Sequence, residues 1–227
     1  HTIAFAGARI AIAIADAGGR VDLNKADPQL LMGLLRQFAD SERQAARIRD
    51  HILLARGEVP GDGTRAETAV GTMFEGGESA NSGGEVPAFV DVAQLRTLDG
   101  MTVKLYRQIA PHLTVYSGDG RINPLSASEI VLKSIPELAE PDLEKLRAYM
   151  RSPEQSESMM GDLDQRLGSY LAEKAGPAFV VSVEVLQADG SPGASSVYVM
   201  APGLDKDAPY RLIAKRPTER GLLSDPT

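Results

Sequence analysis

Residues 9–16 read Arg-Ile-Ala-Ile-Ala-Ile-Ala-Asp, and this alternation is the strongest structural signal in the chain. The isoleucines recur at every second residue, which predicts a β-strand with one apolar face, because successive side chains of a strand point to opposite faces. A helix would distribute the same isoleucines around its axis. The pair Gly18-Gly19 then predicts a tight turn into Val21-Asp22-Leu23, so the first 23 residues are expected to contain a β-hairpin.

The other end of the chain also has the pattern of a sheet. Residues 179–186, Phe-Val-Val-Ser-Val-Glu-Val-Leu, are rich in β-branched residues and predict a strand, and residues 196–200 and 210–215 predict two more. The short turns between them are typical of an antiparallel meander. A lone hairpin is marginally stable, so the N-terminal strands need either these strands or a covering helix. The simplest assembly is one antiparallel sheet formed by both chain ends.

Between the two ends, the hydrophobic period changes from that of a strand to that of a helix. Asp27 is a suitable N-cap and Pro28 a suitable first helical residue, and four leucines then fall on one helical face. Ser41 and Gln44 match a capping box, which predicts the start of a second helix that continues towards Arg56. Two short helices joined by a polar turn predict a helical hairpin.

The same arrangement recurs at an offset of 101 residues, from Gly19 to Gly120. There, Ser126 and Glu129 predict a capping box, and Pro141 predicts the start of the partner helix. We therefore interpret the two segments as an internal repeat of helical hairpins. Short helices are also predicted over 92–98, 103–109 and 163–171, with a short strand over 113–116.

Residues 57–86 interrupt this regularity with eight glycines and six acidic residues. Such a composition buries too little apolar area to offset the entropy of ordering, and it predicts a flexible loop. Its carboxylates lack the spacing of an EF-hand, so calcium remains an open possibility rather than an assigned cofactor. The tail, residues 218–227, is also predicted to be flexible.

The composition excludes several functions. The 24 basic and 31 acidic residues leave a net charge of −7, which argues against a surface built for phosphate backbones. The absence of cysteine excludes disulfides, zinc–thiolate sites and thiol nucleophiles. Three scattered histidines and the lack of any recognised catalytic motif predict that the chain is not an enzyme, and we assign no catalytic, cofactor-binding or metal-binding residue.

The helical hairpins leave one alternative function open, a helix-hairpin-helix module that binds nucleic acid. That mode of binding needs a glycine-containing turn whose N–H groups face a phosphate. The turns here, Phe38–Ser41 and Leu138–Pro141, lack glycine and each carries a carboxylate, which would repel a phosphate. The sequence therefore disfavours this alternative.

An ordered set of motifs between residues 9 and 151 resembles the minor pseudopilin K family of type II (general) secretion. The set includes the strand-turn segment Ile14–Asn24, the run Phe89–Gly100, and Gly120-Arg-Ile-Asn123 before the helix start at Ser126. Two departures are Gln94, where the family usually has Glu, and Pro124-Leu125, which replaces the family's second Asn.

The resemblance implies a pilin-like antiparallel sheet formed by residues 1–23 and 177–217, interrupted by an inserted α-helical domain over residues 24–176. It also implies a hydrophobic N-terminal helix, missing from this chain, that anchors the full-length protein in the bacterial inner membrane. Such subunits lie at the tip of the periplasmic pseudopilus and prime its assembly with other minor pseudopilins. The expected partners are therefore protein subunits, with no nucleic acid and no small-molecule substrate. Calcium is found in some members of the family, but their acidic segment is reduced here to Arg49-Asp50-His51, so no ligand residues are transferred.

Overall fold

The computed structural model of the 227-residue chain describes residues 1–59, 88–152, 163, 165–189, 191–205 and 208–217. The predicted loop lies outside the described residues beyond position 59, and so does the predicted tail. In chain order, the described strands and helices are β1 (Thr2–Phe5), β2 (Ala8–Asp16), β3 (Val21–Asp22), α1 (Pro28–Arg36), α2 (Glu42–Ala55), α3 (Val103–Ile109), β4 (Leu113–Thr114), α4 (Glu129–Leu132), α5 (Glu140–Arg151), β5 (Phe179–Leu186), β6 (Pro192–Asp205) and β7 (Ala208–Pro217).

Both ends of the chain contribute to one five-stranded antiparallel sheet. Its strand order is β1-β2-β5-β6-β7, so β2 from the N-terminal part pairs directly with β5 from the C-terminal part. Ile10 lies opposite Val185 and Ile14 opposite Val181. The expectation of a mixed fold, with one antiparallel sheet made by both ends and helices between them, is confirmed.

The predicted N-terminal hairpin is wrong in its partner strand. β2 forms its hairpin with β1 through Ala6 and Gly7, which both have positive φ angles, of 50° and 80°. The sequence after β2 instead forms a 3₁₀ turn, Ala17–Gly19, and β3 pairs in parallel with β4 in a separate two-stranded sheet. Val21 and Leu23 are fully buried among the helices, so residues 21–23 belong to the helical core rather than to the large sheet.

Local capping interactions begin the first two helices where the sequence predicts. Asp27 Oδ1 accepts a hydrogen bond from the N–H of Gln29 at 2.7 Å, and Ser41 Oγ accepts one from the N–H of Gln44 at 3.2 Å. The Gln44 side chain accepts from the N–H of Asp40 rather than from that of Ser41, so the capping box is displaced by one residue. The apolar faces of these helices pack into one core whose largest fully buried members include Leu30, Leu31, Leu34, Ile48, Ile52 and Leu132.

The second predicted hairpin is shorter than expected. α4 is a single turn and its N-cap is Ser128, which accepts from the N–H of Val131; the predicted cap at Ser126 is wrong. The N–H of Ser126 is instead directed to the carbonyl oxygen of Asn123 in the preceding turn. α5 carries Pro141 in its first turn, as predicted.

The two segments meet through corresponding residues. Gly19 of the first segment lies against the backbone of Ser126 of the second segment. The corresponding contact joins Gly120 to the backbone of Lys25, because Gly120 follows Gly19 by 101 residues and Ser126 follows Lys25 by 101 residues. Gly33 lies against the backbone of Ser134, again a pair separated by 101 residues. A Cβ atom at any of these three glycines would collide with a carbonyl oxygen, so only glycine allows this close approach.

The remaining short elements close the helical core. Residues 92–97 form a 3₁₀ helix rather than the predicted α-helix, and Asp91 and Gln94 make a reciprocal capping box at its start. Residues 163 and 165–167 are helical, and Leu171 forms a parallel bridge with Ile122. Among the described residues, no helix has the length and apolar character needed to span a membrane.

Candidate functional site

One face of the five-stranded sheet carries large apolar side chains on every strand. Paired residues of antiparallel neighbours share a face, so the strand register defines which side chains lie together. We call this surface the isoleucine face, and its large apolar members are Ile3, Phe5, Ile10, Ile12, Ile14, Phe179, Val181, Val183, Val185, Tyr198, Met200, Tyr210 and Leu212. The sequence predicted a strand with one apolar face, and the structure extends that face across the whole sheet.

Every apolar member of the isoleucine face is exposed or partly exposed, whereas the opposite face is buried in part and exposed at Ala13 and Ala15 of β2. Phe5, Ile14 and Tyr210 are 70%, 65% and 61% exposed, whereas Ala11 and Val180 on the other face are 5% and 4% exposed. Large apolar patches of this kind are uncommon on the free surface of a soluble protein and mark interaction sites. The surface is therefore the candidate functional site of the chain.

The helical part of the molecule lies against the opposite face of the sheet. Val180 and Val199 pack there with Ala17 and Ala178, and Tyr116 adds a partly buried ring. Arg216 of β7 extends this contact, because its guanidinium forms an ion pair with Asp91 and a 3.4 Å hydrogen bond with the Tyr116 hydroxyl. The described helices therefore lie on the side of the sheet opposite the isoleucine face.

A buried carboxylate joins the sheet to the helical region. Asp16 Oδ1 accepts hydrogen bonds from the N–H groups of Gly18 at 2.9 Å and Gly176 at 3.1 Å. Asp16 Oδ2 accepts from the side-chain amide of Asn123 at 2.7 Å. Gly18 lies where the chain leaves the sheet after β2, and Gly176 lies where it returns to the sheet before β5. Asp16 therefore links these two crossing segments to each other and to Asn123, which lies in the turn before α4.

A second set of buried polar contacts stabilises the first helical hairpin. Asp22 Oδ2 accepts from the N–H and the hydroxyl of Ser117, at 3.1 and 2.7 Å. Asn24 exchanges two 2.8 Å hydrogen bonds with the backbone of Phe89. Arg56 donates to the carbonyl oxygen of Leu23 at 2.7 Å, and burial, partly opposed by the nearby Glu58, lowers the pKa of its guanidinium.

A polar cavity of about 420 Å³ lies beside the Asp16 junction. Its lining includes Asp119 and Arg121, which form an ion pair at 2.9 Å, and this hydrogen-bonded contact lowers the pKa of the Asp119 carboxyl. Glu173 and Lys174 add one charge of each sign. This balanced charge does not select an anionic or a cationic ligand.

The histidines do not converge in the structure. His112 stacks on Phe38 with 5.7 Å between the ring centroids, and its Nδ1 lies 3.3 Å from the Ser128 hydroxyl. Within the parts of the chain that the structure describes, no group of three or more His, Cys, Asp or Glu side chains is arranged to hold a metal ion.

Sequence reasoning assigned no site residues, and it missed both the exposure of the isoleucine face and the role of Asp16. The alternation at residues 9–16 signals an apolar face but does not reveal which face the helices cover. Gly18 is a local partner of Asp16, but Asn123 and Gly176 lie more than 100 residues away, and no local motif links them to Asp16.

The fold and the open surface together define a class of protein: an antiparallel sheet built from both chain ends, with helices inserted between them and one apolar sheet face left uncovered. The chain matches a chain in the crystal structure of the GspK–GspI–GspJ complex from the type 2 secretion system of enterotoxigenic Escherichia coli. The match has a TM-score of 0.56 and 12% sequence identity, and it covers 97% of this chain and 83% of that chain. GspK is minor pseudopilin K, so the resemblance carried by the sequence motifs is confirmed at the level of the fold. No protein-family model and no curated protein matches the chain.

Proposed function

We propose that this chain is the periplasmic part of a minor pseudopilin K-like subunit, which lies at the tip of a type II secretion pseudopilus and primes its assembly with other minor pseudopilins. The observation that carries the proposal is the exposed isoleucine face, on a fold shared with a chain of the GspK–GspI–GspJ complex. An apolar face of this extent needs a protein or lipid partner in water. A subunit of a filament has such partners.

In the proposed full-length protein, an apolar helix that precedes His1 anchors the subunit in the inner membrane and covers part of the isoleucine face. β1 begins at Thr2 and carries Ile3 and Phe5 on that face, so a helix joined at His1 would reach the sheet at its edge. This arrangement makes the sheet pilin-like, with the helical region inserted between β2 and β5.

The helical region is proposed to be a duplicated helix-hairpin-helix-like unit with a structural role. Asp27 and Ser128, which correspond at the offset of 101 residues, both cap the first helix of their segments. Gly33 and Ser134, also a corresponding pair, are in contact where the two segments meet. The carboxylates in the hairpin turns would repel phosphates, so they favour a structural role over nucleic-acid binding.

The proposed role is structural rather than enzymatic. The two buried carboxylates at the junction, Asp16 and Asp22, accept hydrogen bonds from several neutral donors each, as expected for groups that organise backbone. Their donors include backbone N–H groups, the Ser117 hydroxyl and the Asn123 amide, which are groups that do not exchange protons with a carboxylate near neutral pH. We propose no cofactor.

The test is reconstitution of the tip complex with the full-length protein. We expect the wild-type subunit to co-purify with the minor pseudopilins encoded beside it, and to restore secretion in cells that lack it. Ile14→Asp and Leu212→Asp place charges on the isoleucine face and should abolish both results. Ala13→Asp is the matched control, because Ala13 is exposed on the opposite face.

Equal activity of Ile14→Asp and Ala13→Asp would contradict the proposed use of the isoleucine face. Failure of the wild-type protein to associate with any neighbouring pseudopilin would contradict the subunit assignment itself. A mobility-shift assay at about 50 mM salt tests the nucleic-acid alternative under conditions where electrostatic binding is strong, and we expect no retention.

A further inference from the structure

An open groove between the start of α2 and the turn before α3 is not used by the proposed function. Its volume is about 400 Å³, and Ser41, Arg43, Gln44 and Arg47 line it on one side and residues 100–102 on the other. This volume lies within the range of pockets that hold ligands or side chains of a partner. The groove belongs to the helical region, on different elements from those of the isoleucine face.

Hydrogen bonds fix the two walls of the groove to each other. The Gln44 side chain donates to the carbonyl oxygen of Gly100 and accepts from the N–H of Asp40, both at 2.9 Å. Gly100 adopts a φ of +87°, which a residue with a side chain would adopt only with strain. The groove is therefore formed before any ligand binds, which lowers the entropic cost of binding.

The guanidinium groups of Arg43 and Arg47 in this groove retain N–H donors that are not used in close ion pairs within the described residues. Among the described residues, Arg43 makes no hydrogen bond or ion pair. Arg47 reaches Asp99 at 3.4 Å, and both side chains are more than half exposed. By contrast, Arg36 pairs with Glu42 through both carboxylate oxygens. Arg43 therefore has its whole guanidinium open to a carboxylate, and Arg47, whose contact with Asp99 uses only Nη1, retains further N–H donors for one.

The wall opposite the arginines adds apolar contact area. Met101 lines the groove, and Val103, one residue beyond Thr102, is 61% exposed. An arginine pair beside exposed aliphatic side chains is a composition typical of protein–protein contacts, where arginine and methionine are enriched.

We propose that this groove binds an acidic, extended segment of a partner protein, with carboxylates paired to Arg43 and Arg47 and an aliphatic side chain against Met101. A nucleic-acid backbone is disfavoured, because Asp99 lies 3.4 Å from Arg47 and would repel a continuous row of phosphates. Carboxylates separated by apolar residues carry fewer negative charges along the segment, so this repulsion is smaller for them. The proposal does not depend on the secretion role.

Fluorescence anisotropy with a defined probe tests the proposal. The probe is a fluorescein-labelled, end-capped peptide, Gly-Asp-Leu-Asp-Leu-Asp-Gly, and its control carries Asn in place of each Asp. We expect the intact chain to bind the acidic probe at about 50 mM salt and to bind it several-fold more weakly at about 200 mM, because salt screens exposed charges. The Asn probe should not bind.

Variants locate the binding to the groove. The double variant Arg43→Ala/Arg47→Ala should weaken binding of the acidic probe by at least tenfold, whereas Arg211→Ala, an exposed cation on β7, should leave it unchanged. Asp99→Asn removes the carboxylate that competes for Arg47 and should strengthen binding two- to threefold. Circular dichroism confirms that each variant is folded.

Three outcomes would overturn the proposal: no binding of the acidic probe, equal binding of the Asn probe, or equal losses for Arg211→Ala and the groove variant. None of them bears on the tip-subunit role, which is tested by reconstitution and secretion. Retention of nucleic acid that depends on Arg43 and Arg47 would instead assign the groove to phosphate contacts.

Discussion

Large apolar side chains are buried in the helical region but exposed on one face of the sheet. In the helical region, Leu30, Leu34 and Ile48 are fully buried in one continuous core. In the sheet, the cluster of buried residues is small, and Ile14 and Phe5 face solvent. The same hydrophobic effect that stabilises the helices in the isolated chain is therefore still available at the sheet for association.

This contrast separates residues that stabilise the fold from residues that serve assembly. Truncating a buried side chain removes burial and leaves a cavity, whereas truncating an exposed one removes little that the isolated chain has gained. Substitutions in the helical core and at the junction should therefore cost stability, and substitutions on the exposed sheet face should not.

The largest expected effect is in the helical core. Leu31→Ala removes a side chain that is buried among α1, α2 and their neighbours, and it should lower the free energy of unfolding by about 4 kcal/mol. Leu54→Ala removes the same group from an exposed position of α2 and should change stability by less than about 0.5 kcal/mol. Urea denaturation of both variants measures the difference. Equal losses would show that the helical region is not the stable part of the molecule.

The next largest effect is expected at the junction. Asp16→Ala removes the acceptor for the N–H groups of Gly18 and Gly176 and for the Asn123 amide, and these buried donors would be left without a partner. Each such donor has a desolvation cost of about 1–3 kcal/mol, and partial solvation of the junction reduces their sum to an expected loss of about 2–3 kcal/mol. Asp16→Asn keeps one acceptor oxygen and should lose less.

The control for the junction is Asp119→Ala, whose carboxylate pairs with Arg121 at a more exposed position. It should lower stability by less than about 1 kcal/mol, as is usual for surface ion pairs. Limited proteolysis near residues 172–177 provides a second measurement, because a loosened crossing segment is cleaved faster. Unchanged proteolysis in Asp16→Ala would contradict a role for this carboxylate in holding the two crossings.

Features that depend on neighbouring residues could be predicted from the sequence, and those that depend on distant residues could not. β5 spans Phe179–Leu186 as predicted, because a continuous β-branched run has few alternatives. The caps at Asp27 and Ser41 were also predicted correctly, since capping involves residues two or three positions apart. The partner of β3 is Leu113–Thr114, and a two-residue strand carries no signal for a partner so far along the chain.

The candidate site was predicted only in part for the same physical reason. The period of residues 9–16 is identical whether the isoleucines or the alanines face the helices. The choice is made by Tyr116, Ala17 and Ala178, which pack on the face that carries the small side chains of β2. Those contacts come from the helical region, so no pattern within the strand could reveal them.

A smaller effect is expected from pH at the helical side of the molecule. His112 is half-buried, and burial, with a further contribution from the nearby Arg20, lowers the pKa of its ring. The unfolded chain binds this proton with an ordinary pKa of about 6.5. As pH falls through that value, the unfolded state takes up a proton that the native state does not, so stability is lost.

The measurement is urea denaturation at pH 7.5 and pH 5.5. The wild-type protein should be less stable at the lower pH, and His112→Gln, which cannot titrate, should lose less over the same interval. The difference between the two proteins isolates His112 from other titrating groups. An identical loss in both would exclude His112 as the source of the pH dependence.

The smallest effect on stability, and the sharpest test of the comparison, is expected on the isoleucine face. Ile14→Ser replaces a 65% exposed side chain, so the free energy of unfolding of the isolated chain should change by less than about 0.5 kcal/mol. The same substitution should reduce binding of a hydrophobic dye and association of the protein at high concentration, because both depend on the open apolar surface. A loss of stability comparable to that of Leu31→Ala would mean that Ile14 is buried in the isolated chain to the same extent as the side chains of the helical core.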